Sequence, residues 1–113
     1  MNQQQYLEEF KKVTDLMLAI TTAKNQDYSW KDAVDAFANF KVVEEFWISV
    51  EHWFLTRMLD KIKRVSNLVN QEAAVADEKI TDTLLDLANY SLLFLLYLRS
   101  KDEDKQQIQA LAN

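Results

Sequence analysis

At 113 residues, 49% of them apolar, the chain is long enough for one hydrophobic core and short for two. It holds no Gly, Pro or Cys, which excludes glycine-type hairpin turns, disulfides and thiolate metal sites and leaves oxygen and imidazole as the metal donors. The missing Gly and Pro point to a single all-α domain over residues 1–113, and the net charge of -5 argues against a coat protein that binds nucleic acid by displacing counterions, so no nucleic-acid partner is expected.

From Gln3 to about Lys24, Tyr6, Phe10, Val13, Met17 and Ile20 alternate spacings of four and three, one face of a six-turn helix. Leu7, Leu16 and Leu18 widen that stripe, and Glu8, Glu9, Lys11, Lys12 and Asp15 take the polar side. Asn25, Asp27 and Ser29 then predict a turn, because their side chains hydrogen-bond the local backbone. A short helix from about Trp30 to Phe40 is expected next, capped by Ser29 with Asp32 in its first turn. The aromatic and amide cluster Tyr28, Trp30, Phe37, Asn39 and Phe40 suits a plug at the end of a bundle, and alternatively a base-binding pocket.

Residues 41–48 continue helical and jog at Trp47 or Ile48. Ser49 caps the next helix, Ile48 and Trp53 suit a hydrophobic staple, and Glu51 meets the positive end of the dipole. That helix, Val50 to about Val69, is expected to turn Phe54, Met58, Ile62, Val65 and Val69 to the core, with Arg57, Asp60, Lys61, Arg64 and Asn67 on a neighbouring ridge. His52, at its start, suits capping or the surface better than metal or catalysis.

The connector QEAAVADE is short, so the following helix returns antiparallel. In Asp77–Leu98, Glu78, Asp82, Asp86 and Asn89 stack on one face at spacings of four, four and three. Leu92–Leu98 is apolar nearly all round and is expected to be the central core helix. The acidic row meets the cationic ridge, either as a salt-bridge ladder in which Arg57 and Arg64 pair with Asp82 and Asp86, or around a divalent cation held by Asp60, Asp82 and Asp86 with Arg57, Lys61 and Arg64 on phosphate. The segment SKDEDKQQIQALAN reads as a separate terminal helix ending in an amphipathic Ile108–Leu111.

Four motifs in this order, K-N-x-D-Y at Lys24–Tyr28, F-x-N-F at Phe37–Phe40, R-x-x-D-K-x-x-R at Arg57–Arg64 and D-E-x-I-x-D-T-L-x-D-L-A-N-Y at Asp77–Tyr90, resemble the nucleotide modification associated domain, type 1, of bacteria and phages. That family is in turn similar to the all-α nucleoside triphosphate pyrophosphohydrolases of the MazG and dimeric dUTPase group, in which two antiparallel helices hold magnesium on the substrate's phosphates. The resemblance implies a four-to-five-helix bundle of the MazG-like type and a nucleotide ligand. It implies Mg²⁺ on Asp60, Asp82 and Asp86, with Glu78 as catalytic base or further ligand. Arg57, Lys61, Arg64 and Lys24 become phosphate binders, and Asn25, Asp27, Tyr28, Asn39 and Asn89 candidates for base and sugar. One departure from the pattern is Arg57, which stands where those enzymes carry a second acid on the first metal helix.

The alternative class is a non-catalytic small acidic interaction protein, a phage or host factor using Phe46, Trp47 and Trp53 as an exposed aromatic surface. The polar, acidic amino terminus shows no signal peptide, and Leu92–Leu98 is far short of a membrane span. Expected placement is therefore cytoplasmic, in the host if phage-encoded, with no membrane partner and with a homo-oligomer, dimer or larger, as in the related enzymes.

Overall fold

A computed structural model describes residues 1–28, 36–71 and 80–112, the side chains of residues 25–28 excepted. The fold is all-α: α1 (Gln3–Tyr28), α2 (Ala38–Lys41), a 3-10 helix (Val42–Phe46), α3 (Val50–Asn70) and α4 (Ile80–Ala112), with no strand among the described residues. Backbone contacts divide the chain into two compact units, Met1–Asn39 and Phe40–Asn113.

In the first unit, α1 begins with a reciprocal cap. The Gln5 backbone N–H donates to Asn2 Oδ1 (2.8 Å) and the Asn2 N–H donates to Gln5 Oε1 (2.9 Å), satisfying two of the otherwise orphaned amides. Lys11–Asp15 and Lys12–Glu9 pairs line the polar side. The helix runs on through Asn25, Gln26 and Asp27 to Tyr28, four residues past the expected end at Lys24. The helix continues through residues that favour turns, and no Gly or Pro stands there to enforce a break. The expected Ser29 cap, Asp32 and Trp30 lie outside the described residues.

The second unit is built on α3 and α4. After the 3-10 helix the chain turns at Trp47, whose left-handed backbone (φ 59°, ψ 25°) ends one helix and allows the next to start in a new direction. Ser49 then caps α3 as expected, its Oγ accepting the His52 backbone N–H at 3.1 Å while also lying 2.6 Å from His52 Nδ1. The imidazole thus serves the cap.

The core sits between α3 and α4. Phe54 is fully buried, with its ring stacked on Phe94 (centroids 5.1 Å apart, planes 4° apart) and tilted against Phe40 and Tyr97. Val50, Thr83 and Tyr97 are also buried in this unit. Two expectations are corrected here. Ile62 and Val69, assigned to the core face of α3, are exposed, and so are Leu92, Leu95, Leu96 and Leu98 of the stretch expected to be the central core. Within this unit burial follows the seam between the two helices, and an apolar residue that points elsewhere gains nothing from being apolar. The charged tail is also no separate helix, since α4 runs unbroken to Ala112 through Lys, Asp, Glu and Gln, none of which breaks a helix as Gly or Pro does.

Across the seam Glu51, in the first turn of α3, accepts from Lys101 Nζ at 2.7 Å. This ties the start of one helix to the far part of the other and confirms the antiparallel course. The hydrogen bond from Lys101, and then one from the Glu51 backbone N–H, hold the Glu51 carboxyl below its ordinary range. Lys101 is raised in return, chiefly by the same bond. Burial, followed by the Glu51 charge, pushes the Tyr97 hydroxyl up.

Candidate functional site

Two rows face each other along the middle of the α3–α4 seam. On α3 the spacing of four aligns Trp53, Arg57 and Lys61 on one ridge, and on α4 the same spacing aligns Asp82, Asp86, Tyr90 and Phe94. Lys61 Nζ donates to Asp86 Oδ2 at 3.1 Å, and the Lys61 side chain is only 19% exposed against 45% for Asp86. A carboxylate at this position gives a largely buried ammonium its hydrogen-bonding partner.

One turn toward the start of α3, the Arg57 guanidinium lies over the Trp53 ring, 5.8 Å from its centroid. Trp53 meets Tyr90 edge-on (6.0 Å) and packs against Phe40 and Phe54 (each 5.1 Å). It is half-buried, which corrects the expectation that it forms an exposed surface with Phe46 and Trp47. Those two are exposed, Trp47 at 95%. The ladder alternative is also revised: Asp86 pairs with Lys61, the ridge residue one turn beyond Arg57, while Arg57 stacks on an indole.

The other expected site residues distribute as follows. Asp60 and Arg64 are exposed on α3, and Asn89 is half-buried on α4. Asp82 is exposed in the first turn of α4, where a carboxylate also favours the helix dipole. Among the described residues no group of three or more histidine, aspartate or glutamate side chains is gathered so that it could hold a metal ion. Glu78, the fourth acid of the expected set, lies outside them. Lys24 and Asn39 belong to the first unit and are exposed, while the side chains of Asn25, Asp27 and Tyr28 lie outside the described residues.

Sequence reasoning missed Tyr90 and the placement of Trp53 in this row. The available signal was the continuation of the acidic row by one more step of four, from Asp86 to Tyr90. The side chains bring together an aromatic edge, a guanidinium, an ammonium and one carboxylate, groups that can meet an anion carrying a flat ring. None of the described helices is long and apolar enough to cross a membrane.

The family model for nucleotide modification associated domain 1 matches residues 24–98. Those residues include all of α3, the whole facing row of α4 and the 3-10 helix. No curated protein and no solved structure matches the chain.

Proposed function

From the chain's membership of the nucleotide modification associated domain 1 family, we propose that it binds a nucleotide along the α3–α4 seam. The observation that carries this reading is the Lys61–Asp86 pair flanked by Arg57 on Trp53, inside the matched segment. Arg57, Lys61 and Arg64 would meet the phosphates, and Trp53 with Tyr90 would offer a ring edge and face to the base. Asn89 is the remaining candidate of this unit for base or sugar.

Magnesium belongs to the proposal as a hydrated ion held by one or two of the acids, Asp82 first and Asp60, Asp86 or Glu78 beside it, and when bound it supplies charge neutralisation on the phosphates. The finer reading is a pyrophosphohydrolase of the all-α MazG-like type. Water would attack the α-phosphorus, Glu78 would take its proton, and the bond from that phosphorus to the bridging oxygen would break to release pyrophosphate. The coarser reading, binding, does not require this step.

Calorimetric titration of deoxynucleoside triphosphates into the native chain and into Lys61→Gln tests the binding site. Loss of a charge-assisted hydrogen bond of about 1.5–3 kcal/mol predicts at least about tenfold weaker binding. Equal affinity in both proteins would remove the seam from the reading, and a separate pyrophosphate-release assay decides the finer one. A second reading, a protein-interaction factor, is favoured by the exposure of Phe46 and Trp47 at a left-handed turn. Trp47→Ala would abolish that role and leave nucleotide affinity unchanged.

A further inference from the structure

Trp47 carries two costs that its own unit does not recover. It holds the left-handed conformation that closes the 3-10 helix, a position where Gly is usual. Its N–H donates to the Glu44 carbonyl at 3.1 Å, and the Ile48 N–H donates to the Val43 carbonyl at 3.3 Å. Those bonds are made by the backbone alone, so Gly would form them without steric cost. The indole adds nothing to the turn and is 95% exposed. A strained backbone beneath an uncovered large side chain is the pattern of a residue held ready for an encounter.

The surroundings of Trp47 indicate what it meets. Val42, Phe46 and Ile48 are exposed beside it in the chain. Glu44 and Glu45 are exposed between them, and residues 42–48 hold no base. The 3-10 helix packs on α3, at the end where Glu51 meets Lys101. Lys101, raised chiefly by its bond to Glu51, also feels the Glu44 charge. Past Lys101, α4 continues with Asp102, Glu103 and Asp104, all exposed and within about 5 Å of Lys101 along the axis at roughly 1.5 Å per residue. Lys41, Arg99 and Lys105 are the other bases at this end, so acids are in excess around the exposed rings once Glu51 and Lys101 are paired.

We propose that Phe46 and Trp47 dock a short basic segment of another protein, its apolar side chains on the two rings and its Lys or Arg groups on Glu44 and Glu45. This deepens the protein-interaction reading of the same residues and rests on it. Charge selects the occupant. A second copy meeting this patch about a two-fold axis would bring Glu44 and Glu45 against their own equivalents, a like-charge contact that opposes pairing. A basic segment instead gains from the same acids, and its cations also favour the exposed ring faces. Size selects a segment over a folded domain, because the two rings offer about 150–250 Å² each against roughly 800 Å² per partner in a standard interface.

Three short amphipathic peptides that differ only in their polar residue, Lys–Leu, Gln–Leu and Glu–Leu, would be titrated by calorimetry into the native chain, into Trp47→Gly and into the double variant Glu44→Gln with Glu45→Gln. Trp47→Gly suits the left-handed turn, so a loss of binding there reports the indole and not the fold. The Lys–Leu peptide is expected to bind the native chain, at least about thirtyfold more weakly to Trp47→Gly, and more weakly to the double variant and in raised salt. The Glu–Leu peptide is expected not to bind. Equal, Trp47-dependent binding of the Gln–Leu peptide would overturn the basic partner and leave the interaction reading standing. No binding of any peptide, or Lys–Leu binding unchanged in Trp47→Gly, would overturn both.

Discussion

Lys61 on α3 and Asp86 on α4, 25 positions apart in sequence, are joined by a 3.1 Å hydrogen bond in a seam that leaves the ammonium side chain only 19% exposed. A cation so placed depends on its partner more than a surface lysine does. Asp86→Asn keeps the shape and removes the charge, and its expected cost is about 1 kcal/mol, between an exposed pair and a buried one. Urea unfolding at fixed protein concentration measures it, and the double change with Lys61→Met should cost less than the two single changes summed.

Phe54 is the largest fully buried side chain and touches Phe40, Trp53, Phe94 and Tyr97. Phe54→Ala is expected to cost about 3–5 kcal/mol through lost burial and the cavity left behind. By contrast Ile62→Ala, at an exposed position of the same helix, should cost far less. Thermal unfolding of both variants at low protein concentration distinguishes them.

Trp47 holds a left-handed backbone with its side chain 95% exposed, so little burial offsets the strain. Replacing it with Gly removes about 1–2 kcal/mol of steric cost and adds about 0.5–1 kcal/mol of unfolded-state entropy. A net gain of roughly 0.5–1 kcal/mol is expected, seen as a higher urea midpoint with an unchanged slope.

The Glu51–Lys101 bridge sets a pH dependence at both extremes. Glu51 is lowered from 4.5, so its contribution is complete above that value and is lost as pH falls through the lower folded value. Lys101 is raised from 10.5, so its contribution is complete below that value and is lost as pH rises through the higher folded value. Glu51→Gln should flatten the acid limb of a stability–pH curve and weaken the alkaline one. A curve with both limbs unchanged would contradict the assignment.

Local signals were legible in the sequence, and distant ones only in part. Ser49 as a cap and the change of direction at Trp47 follow from residues within one turn of each other. The Lys61–Asp86 seam was foreseeable as an encounter of two ridges, because a short connector forces an antiparallel return. Which cation would take Asp86 was not, since Arg57, Lys61 and Arg64 share a ridge and their rotation about the axis is set by the packing of Phe54 on Phe94. Glu51 and Lys101, 50 positions apart, gave no signal at all. The leucines from Leu92 to Leu98 misled, because an apolar run says that surface wants to be covered without saying by what.

The most direct test of a nucleotide at the seam uses the indole beside it. In a Trp30→Phe, Trp47→Phe background Trp53 is the sole tryptophan, with the Arg57 guanidinium over its ring. Its fluorescence would be followed on adding each deoxynucleoside triphosphate with and without Mg²⁺, in that protein and with Asp82→Asn added. The predicted result is a saturable change for at least one nucleotide that needs both Mg²⁺ and Asp82. No response to any nucleotide under either condition would contradict it.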